Sequence, residues 1–106
     1  MNRTLIIGLD LSINHTGMCL RCVDEFGDNY KFIEIKSNKS KKKPSKDVHV
    51  VDYQRNSDES IHKDIRTIID GEVVSKIIAE QANDFCPEYS KVFIAIEGLS
   101  FMSRGS

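Results

Sequence analysis

The spacing of apolar residues divides the chain into strand-like and helix-like segments. Residues 4–11 (TLIIGLDL) are almost continuously apolar, which predicts a strand that is covered on both faces and lies centrally in a sheet. Turn-forming residues separate it from strand-like runs at 18–23 and 30–36, so these three segments predict an antiparallel meander. Residues 92–97 (VFIAIE) form a second doubly apolar run and predict a fourth strand.

From residue 57 onward the apolar positions recur every three or four residues, the period of one helical face. Ser57 or Asp58 is expected to cap this helix and Pro87 to end it, while Gly71 leaves open a kink or two shorter helices. A strand, helix, strand order implies a right-handed crossover, so the fourth strand should run parallel to the first in the order 3-2-1-4. The predicted apolar stripe comprises Ile61, Ile65, Ile68, Ile69, Val73, Val74, Ile77, Ile78, Ala82 and Phe85.

Composition indicates one small domain spanning residues 1–106, because 40% of the 106 residues are hydrophobic and 29% are charged. The formal net charge of −1 gives no global attraction to nucleic acid, so a basic surface must be local. Residues 37–47 (SNKSKKKPSKD) are basic and predict a flexible loop that either binds backbone phosphates or is only a solvated linker, with a polybasic localisation signal as a third interpretation. No apolar run approaches the ~18 residues of a membrane span and no signal-like start is present, so we expect the cytoplasm, or the host cytoplasm for a viral protein.

Two carboxylates each close an apolar strand. Asp10 shares a strand face with Gly8, and Glu97 shares one with Ala95, so each acid has a small residue beside it on its own face. If the two strands are adjacent and parallel, both acids lie at the carboxyl end of the sheet, where open α/β sheets usually build sites. Such a pair would repel unless a cation neutralised it, and hard oxygen ligands suit Mg²⁺ or Mn²⁺. Two solvated strand-end acids are the alternative interpretation.

The residues around both acids resemble those of a known family. The segments 7–12 (IGLDLS), followed by Thr16-Gly17, and 96–98 (IEG), followed by a Ser/Gly-rich run with one Arg, are similar to the RuvC family of Holliday junction resolvases, particularly its phage and viral branch. In that family an aspartate ends the first strand of an RNase H-like fold and a glutamate ends the fourth. Asp10 and Glu97 match these two positions.

The resemblance implies a two-metal endodeoxyribonuclease that hydrolyses phosphodiester bonds in branched DNA, often as a homodimer and with no small-molecule cofactor. Family members continue through a further helix and strand and a second helix that carries one or two more acids. The chain should therefore be an amino-terminal portion that is catalytically incomplete by itself. Nucleic-acid contacts are expected from the turn, the basic loop and the end of the chain, at Ser12, His15, Lys41, Lys42, Lys43, Ser103 and Arg104.

Two other functional classes remain open. A non-catalytic RNase H-like module that binds nucleic acid or another partner fits the missing acids. Actin-like and sugar-kinase-type nucleotide-binding domains also begin with a strand that ends in Asp, but they need a Gly-rich turn where this chain has Ser12, Ile13 and Asn14.

The three cysteines are expected to be ordinary thiols. Cys19 and Cys22 have the spacing of a zinc knuckle or redox pair, but their odd separation places them on opposite faces of a strand. Cys86 has no evident partner and is expected to fill space at the end of the helix.

Overall fold

The fold is mixed α/β, with a five-stranded mixed sheet and one helix, in a computed structural model that describes residues 2–97. The order across the sheet is β4-β3-β2-β1-β5. Strands β1, β2 and β3 are antiparallel neighbours, β5 is parallel to β1, and β4 is parallel to β3. The elements are β1 (Thr4–Asp10), β2 (His15–Asp24), β3 (Gly27–Ser37), β4 (His49–Tyr53), α1 (Lys63–Phe85) and β5 (Lys91–Glu97).

The predicted order 3-2-1-4 is confirmed for the four strands that the sequence indicates, since the predicted fourth strand is β5 beside β1. Strand β4 was missed. It has only five residues and follows the basic loop, so its apolar content is too short to separate it from a linker. Residues 38–48 contain no helix or strand, whereas Ser37, which the predicted loop includes, is the last residue of β3.

Helix α1 packs on one face of the sheet and leaves the other face exposed. Alternate residues of β1, β2 and β3 are buried beneath α1 on the covered face: Leu5, Ile7, Leu9, Thr16, Met18, Leu20, Cys22, Ile33, Ile35 and Ser37. The intervening residues form the open face: Ile6, Gly8, Asp10, His15, Gly17, Cys19, Arg21, Tyr30, Phe32, Glu34, Lys36, Phe93, Ala95 and Glu97. The expectation that the first and last predicted strands are covered on both faces was therefore wrong for residues 2–97. Strand β1 alternates, and every residue of β5 is exposed.

Helix α1 begins later than the sequence predicts. His62 is the N-cap and its side chain accepts a hydrogen bond from the Asp64 backbone N–H, whereas Asp58 accepts from Ser60 in a turn before the helix. The helix continues without a break past Gly71. Its buried positions are Asp70, Val74 and Ala82, and the predicted stripe residues Ile65 and Ile68 are exposed. No helix among the described residues is long and apolar enough to cross a membrane.

A disulfide joins Cys22 in β2 to Cys86, the residue that follows α1. Both cysteines are buried, and their Cα atoms are 5.6 Å apart. The expectation of ordinary thiols was wrong for both Cys22 and Cys86, because sequence spacing gives no indication of a contact across 64 residues. The placement of Cys19 and Cys22 on opposite faces is confirmed, and Cys19 is free.

Candidate metal and nucleic-acid site

Asp10 and Glu97 are side by side at the carboxyl end of the sheet. They are register partners in the parallel pair of β1 and β5, so their side chains leave the same, open face. Both residues are exposed, and Gly8 and Ala95 pair directly beneath them. Neighbouring strands are ~4.8 Å apart, so one cation can contact both carboxylates. The predicted adjacency, direction and shared face of the two acids are confirmed.

A third carboxylate lies in the same row of residues. Glu34 pairs with Gly17, and Gly17 pairs with Asp10, so Glu97, Asp10 and Glu34 occupy one line across the open face. Gly17 contributes no side chain between the two acids on either side of it. The row is therefore acidic, with a gap above Gly17 that is open to solvent or ligand.

Glu34 is held by His15 at the start of β2. The His15 Nε2 lies 2.5 Å from one carboxylate oxygen of Glu34, and the Ser45 N–H donates to the other at 2.8 Å. The His15 Nδ1 lies 3.1 Å from the Ser40 hydroxyl. The hydrogen bond with His15 is the main reason that the pKa of Glu34 lies below its usual value, although partial burial opposes this effect. His15 is thus a fixed side chain of β2 rather than a loop residue.

The same contacts place the basic loop over the open face. Ser40 and Ser45 fasten the loop to His15 and Glu34 at two points, and Lys42 and Lys43 lie between these points. A cavity of about 560 Å³ is lined by both lysines, His15, Glu34, Asp10 and Glu97, with Gly8, Gly17, Cys19, Phe32 and Ala95 among its other lining residues. Cations and carboxylates therefore border the same cavity.

The turn after Asp10 is fixed by hydrogen bonds to other elements. The Thr16 hydroxyl donates to the Ser12 carbonyl at 2.7 Å, and the Tyr53 hydroxyl of β4 donates to the Ile13 carbonyl. The side-chain oxygen of Asn14 accepts from the Ser37 hydroxyl at 3.0 Å. Burial raises the pKa of Tyr53, which keeps its hydroxyl protonated as a donor.

A buried ion pair connects this turn to α1. Arg55 donates through Nε to Asp70 at 2.6 Å and through Nη1 to the side chain of Asn14 at 2.6 Å. Asp70 is 1% exposed and also accepts from the Asn56 backbone N–H at 2.8 Å. Arg55 therefore links the helix to the turn that follows Asp10.

The structure brings most of the predicted site residues together. Asp10, Glu97, His15, Lys42 and Lys43 line one cavity, whereas Lys41 is not among its lining residues. Ser12 borders a smaller cavity on the helix side of the sheet, next to Val74 and Ile78. Ser103 and Arg104 lie outside the described residues. Within residues 2–97, no three His, Cys, Asp or Glu side chains are grouped closely enough to bind a metal ion together.

Sequence reasoning missed Glu34 and Asp70. The alternation in 30–36 (YKFIEIK) already places Glu34 opposite two buried isoleucines, but its position beside Asp10 depends on strand register. Asp70 interrupts an apolar helical pattern, and its partner Arg55 is 15 residues away in a segment without periodicity.

Comparisons of this chain with protein-family models, with curated proteins and with solved structures return no match. Function is therefore inferred from the geometry of the site and from the resemblance of its motifs to the RuvC family.

Proposed function

We propose that this chain carries part of a metal-dependent endodeoxyribonuclease of the RuvC-like, RNase H-like class. The observation that carries the proposal is that Asp10 and Glu97 pair at the carboxyl ends of adjacent parallel strands, on the open face, in a cavity bordered by lysines. The strand order around them supports the proposal, since β3-β2-β1-β5 is the arrangement that the resemblance implies.

Asp10 and Glu97 fit Mg²⁺ or Mn²⁺, because both ions prefer several oxygen ligands and retain bound water. When bound, such an ion supplies an activated water and stabilises the leaving oxygen of a phosphodiester. Lys42 and Lys43, which line the same cavity, bind phosphate oxygens. Both ring nitrogens of His15 are engaged, by Glu34 and by Ser40, so His15 contacts a phosphate oxygen only by exchanging the Ser40 hydroxyl for it.

The substrate in this proposal is branched DNA, and the resemblance to RuvC-type resolvases is its basis, with a homodimer as the expected assembly. Two carboxylates supply few of the ~6 oxygens that magnesium requires, so metal affinity should be weak. Cleavage should require further acidic ligands from a longer chain or a partner.

Manganese binding tests the metal site directly. In a Mn²⁺ titration followed by NMR line broadening, residues 8–12 and 95–97 should broaden first, and Asp10→Asn should abolish this effect. Asp84→Asn is the matched control, since Asp84 is exposed near the end of α1 and should leave the broadening unchanged. Broadening centred elsewhere, or unaffected by Asp10→Asn, would remove the metal site and the proposed nuclease with it.

A second experiment separates the alternatives. Cleavage of a branched DNA by a longer form that supplies the missing acids should be lost in Asp10→Asn. A non-catalytic nucleic-acid-binding module would bind the same DNA without cutting it, in both proteins. Stabilisation by ATP in a thermal-shift assay would instead favour a nucleotide-binding domain.

A further inference from the structure

Three aromatic side chains are exposed on the open face, in addition to Val92, Ile94 and Ile96 on the other face of β5. Tyr30 is 56% exposed, Phe32 is 58% exposed and Phe93 is 59% exposed. Strand register places all three on the side of the sheet that carries Asp10 and Glu97. Apolar surface that is grouped on one face, rather than scattered singly, marks a binding surface.

Small residues lie on the open face between the aromatic side chains. One row across the sheet reads Phe32, Cys19, Gly8 and Ala95, directly beside the acidic row. The next row runs from Tyr30 through Arg21 and Ile6 to Phe93. Because the first row has little side-chain volume between its ends, a flat ring can approach the sheet beside Phe32.

The charges around these aromatics indicate the chemistry of the ligand. Lys42 and Lys43 border the same cavity as Phe32. Lys36 lies on the open face, and the Arg21 guanidinium, which also forms an ion pair with Asp28, is 5.4 Å from the centre of the Tyr30 ring. Exposed aromatics beside a basic rim fit a ligand that combines flat rings with a chain of negative charges, which is single-stranded nucleic acid.

A duplex does not offer this combination, because its base faces are already stacked on one another and only base edges are presented in the grooves. An unpaired strand leaves its base faces free for aromatic side chains.

We infer that the open face binds an unpaired stretch of nucleic acid, with bases stacked on Phe32 and Phe93 and phosphates bound by Lys42 and Lys43. Phe32 and Phe93 are separated by three strand spacings, about 14 Å, and by two residues along the strands, about 7 Å, which gives about 16 Å in all, so they hold bases that are not consecutive. The inference rests on the proposed function only where it places the unpaired nucleic-acid strand beside Asp10 and Glu97. It narrows the substrate to branched nucleic acid with an unpaired arm, such as a flap.

Fluorescence anisotropy with dye-labelled oligothymidine, oligouridine and a blunt duplex, all in EDTA, tests binding without any metal. We expect Phe32→Ala and Phe93→Ala each to weaken binding of the single strands by between about 5-fold and 100-fold. Phe26→Ala is the matched control, because Phe26 is 79% exposed but lies in the turn between β2 and β3. The control should bind like the unmodified protein, and the duplex should bind more weakly than either single strand.

A second readout does not require loss of the aromatic ring. The chain contains no tryptophan, so Phe32→Trp and Phe93→Trp each introduce a single fluorophore that a stacked base should quench. Phe26→Trp should show no quenching.

Equal affinity for the duplex, or unchanged binding in both alanine variants, would overturn the inference. Sedimentation can also be compared between the unmodified protein and the alanine variants. A dimer of the unmodified protein that is lost in the variants, with DNA binding intact, would overturn the inference and assign the open face to contact with a second copy of this chain. Failure of the proposed nuclease function is a separate result. It would appear as Mn²⁺ line broadening that Asp10→Asn does not change, and it would leave the binding of single strands in EDTA unaffected.

Discussion

The two faces of the sheet are built by the same strands but carry different chemistry. The covered face of β1, β2 and β3 is apolar and buried beneath α1, and its polar exceptions Thr16 and Ser37 are both hydrogen-bonded. The open face carries three acids in one row, a histidine, exposed aromatics and small residues. Strand alternation allows this division, because each residue faces away from both of its neighbours. Stability and binding can therefore change independently in this fold.

Adjacent residues of β2 provide the largest expected contrast. Leu20 is fully buried and lies among other core residues, so Leu20→Ala should lower the free energy of unfolding by about 3 kcal/mol, through lost burial and the cavity left behind. Cys19→Ala, one position earlier on the open face, should cost less than about 1 kcal/mol. Urea denaturation monitored by circular dichroism measures both. Equal losses would mean that the open face contributes as much packing as the covered one.

The ion pair between Arg55 and Asp70 should give the next largest effect. Asp70→Asn leaves the arginine without its buried counterion, which we expect to cost about 2 kcal/mol. Arg55→Met, measured alone and together with Asp70→Asn, completes a double-mutant cycle. A coupling energy near zero would show that the two residues do not act together. NMR shifts of residues 12–15 should also move in Asp70→Asn, because Arg55 contacts Asn14.

Four strands were predictable because their apolar runs are long, and their order followed from hairpin and crossover rules. The pairing of Asp10 with Glu97 was also predictable, from face parity and the parallel crossover. The position of Glu34 depends on register across two hairpins, which residue types do not specify. The predicted helix face differs from the buried one because the predicted stripe contains apolar residues only and leaves out Asp70, whose ion pair with Arg55 allows it to be buried.

Glu34 provides a smaller effect with a defined pH dependence. Its pKa is lowered in the folded state, so its contribution is complete above the ordinary value of 4.5 and is lost as the pH falls through the lowered pKa. At neutral pH, Glu34→Gln should cost about 1 kcal/mol. The difference in the free energy of unfolding between Glu34→Gln and the unmodified protein should disappear at pH values below the lowered pKa of Glu34. Urea denaturation at several pH values measures this difference. A difference that persists below that pKa would assign the effect to packing rather than to charge.

Asp10→Asn should have the smallest effect on stability. Asp10 is exposed, so the free energy of unfolding should change by no more than about 0.5 kcal/mol, with a slight gain if repulsion from Glu97 is relieved. Thermal unfolding without metal measures this change. A loss comparable to that of Leu20→Ala would show that Asp10 is a structural residue and would weaken the comparison between the two faces.

The disulfide between Cys22 and Cys86 also makes a covalent ring of the chain between them, 64 residues apart in sequence. The ring contains β3, the basic loop, β4 and α1. A protease that cuts the basic loop once would therefore open the ring without releasing a fragment. The cut protein would migrate as one species on a denaturing gel without reductant and as two pieces after reduction, so the most basic part of the surface can be cleaved while both ends of the cut stay attached to the same sheet.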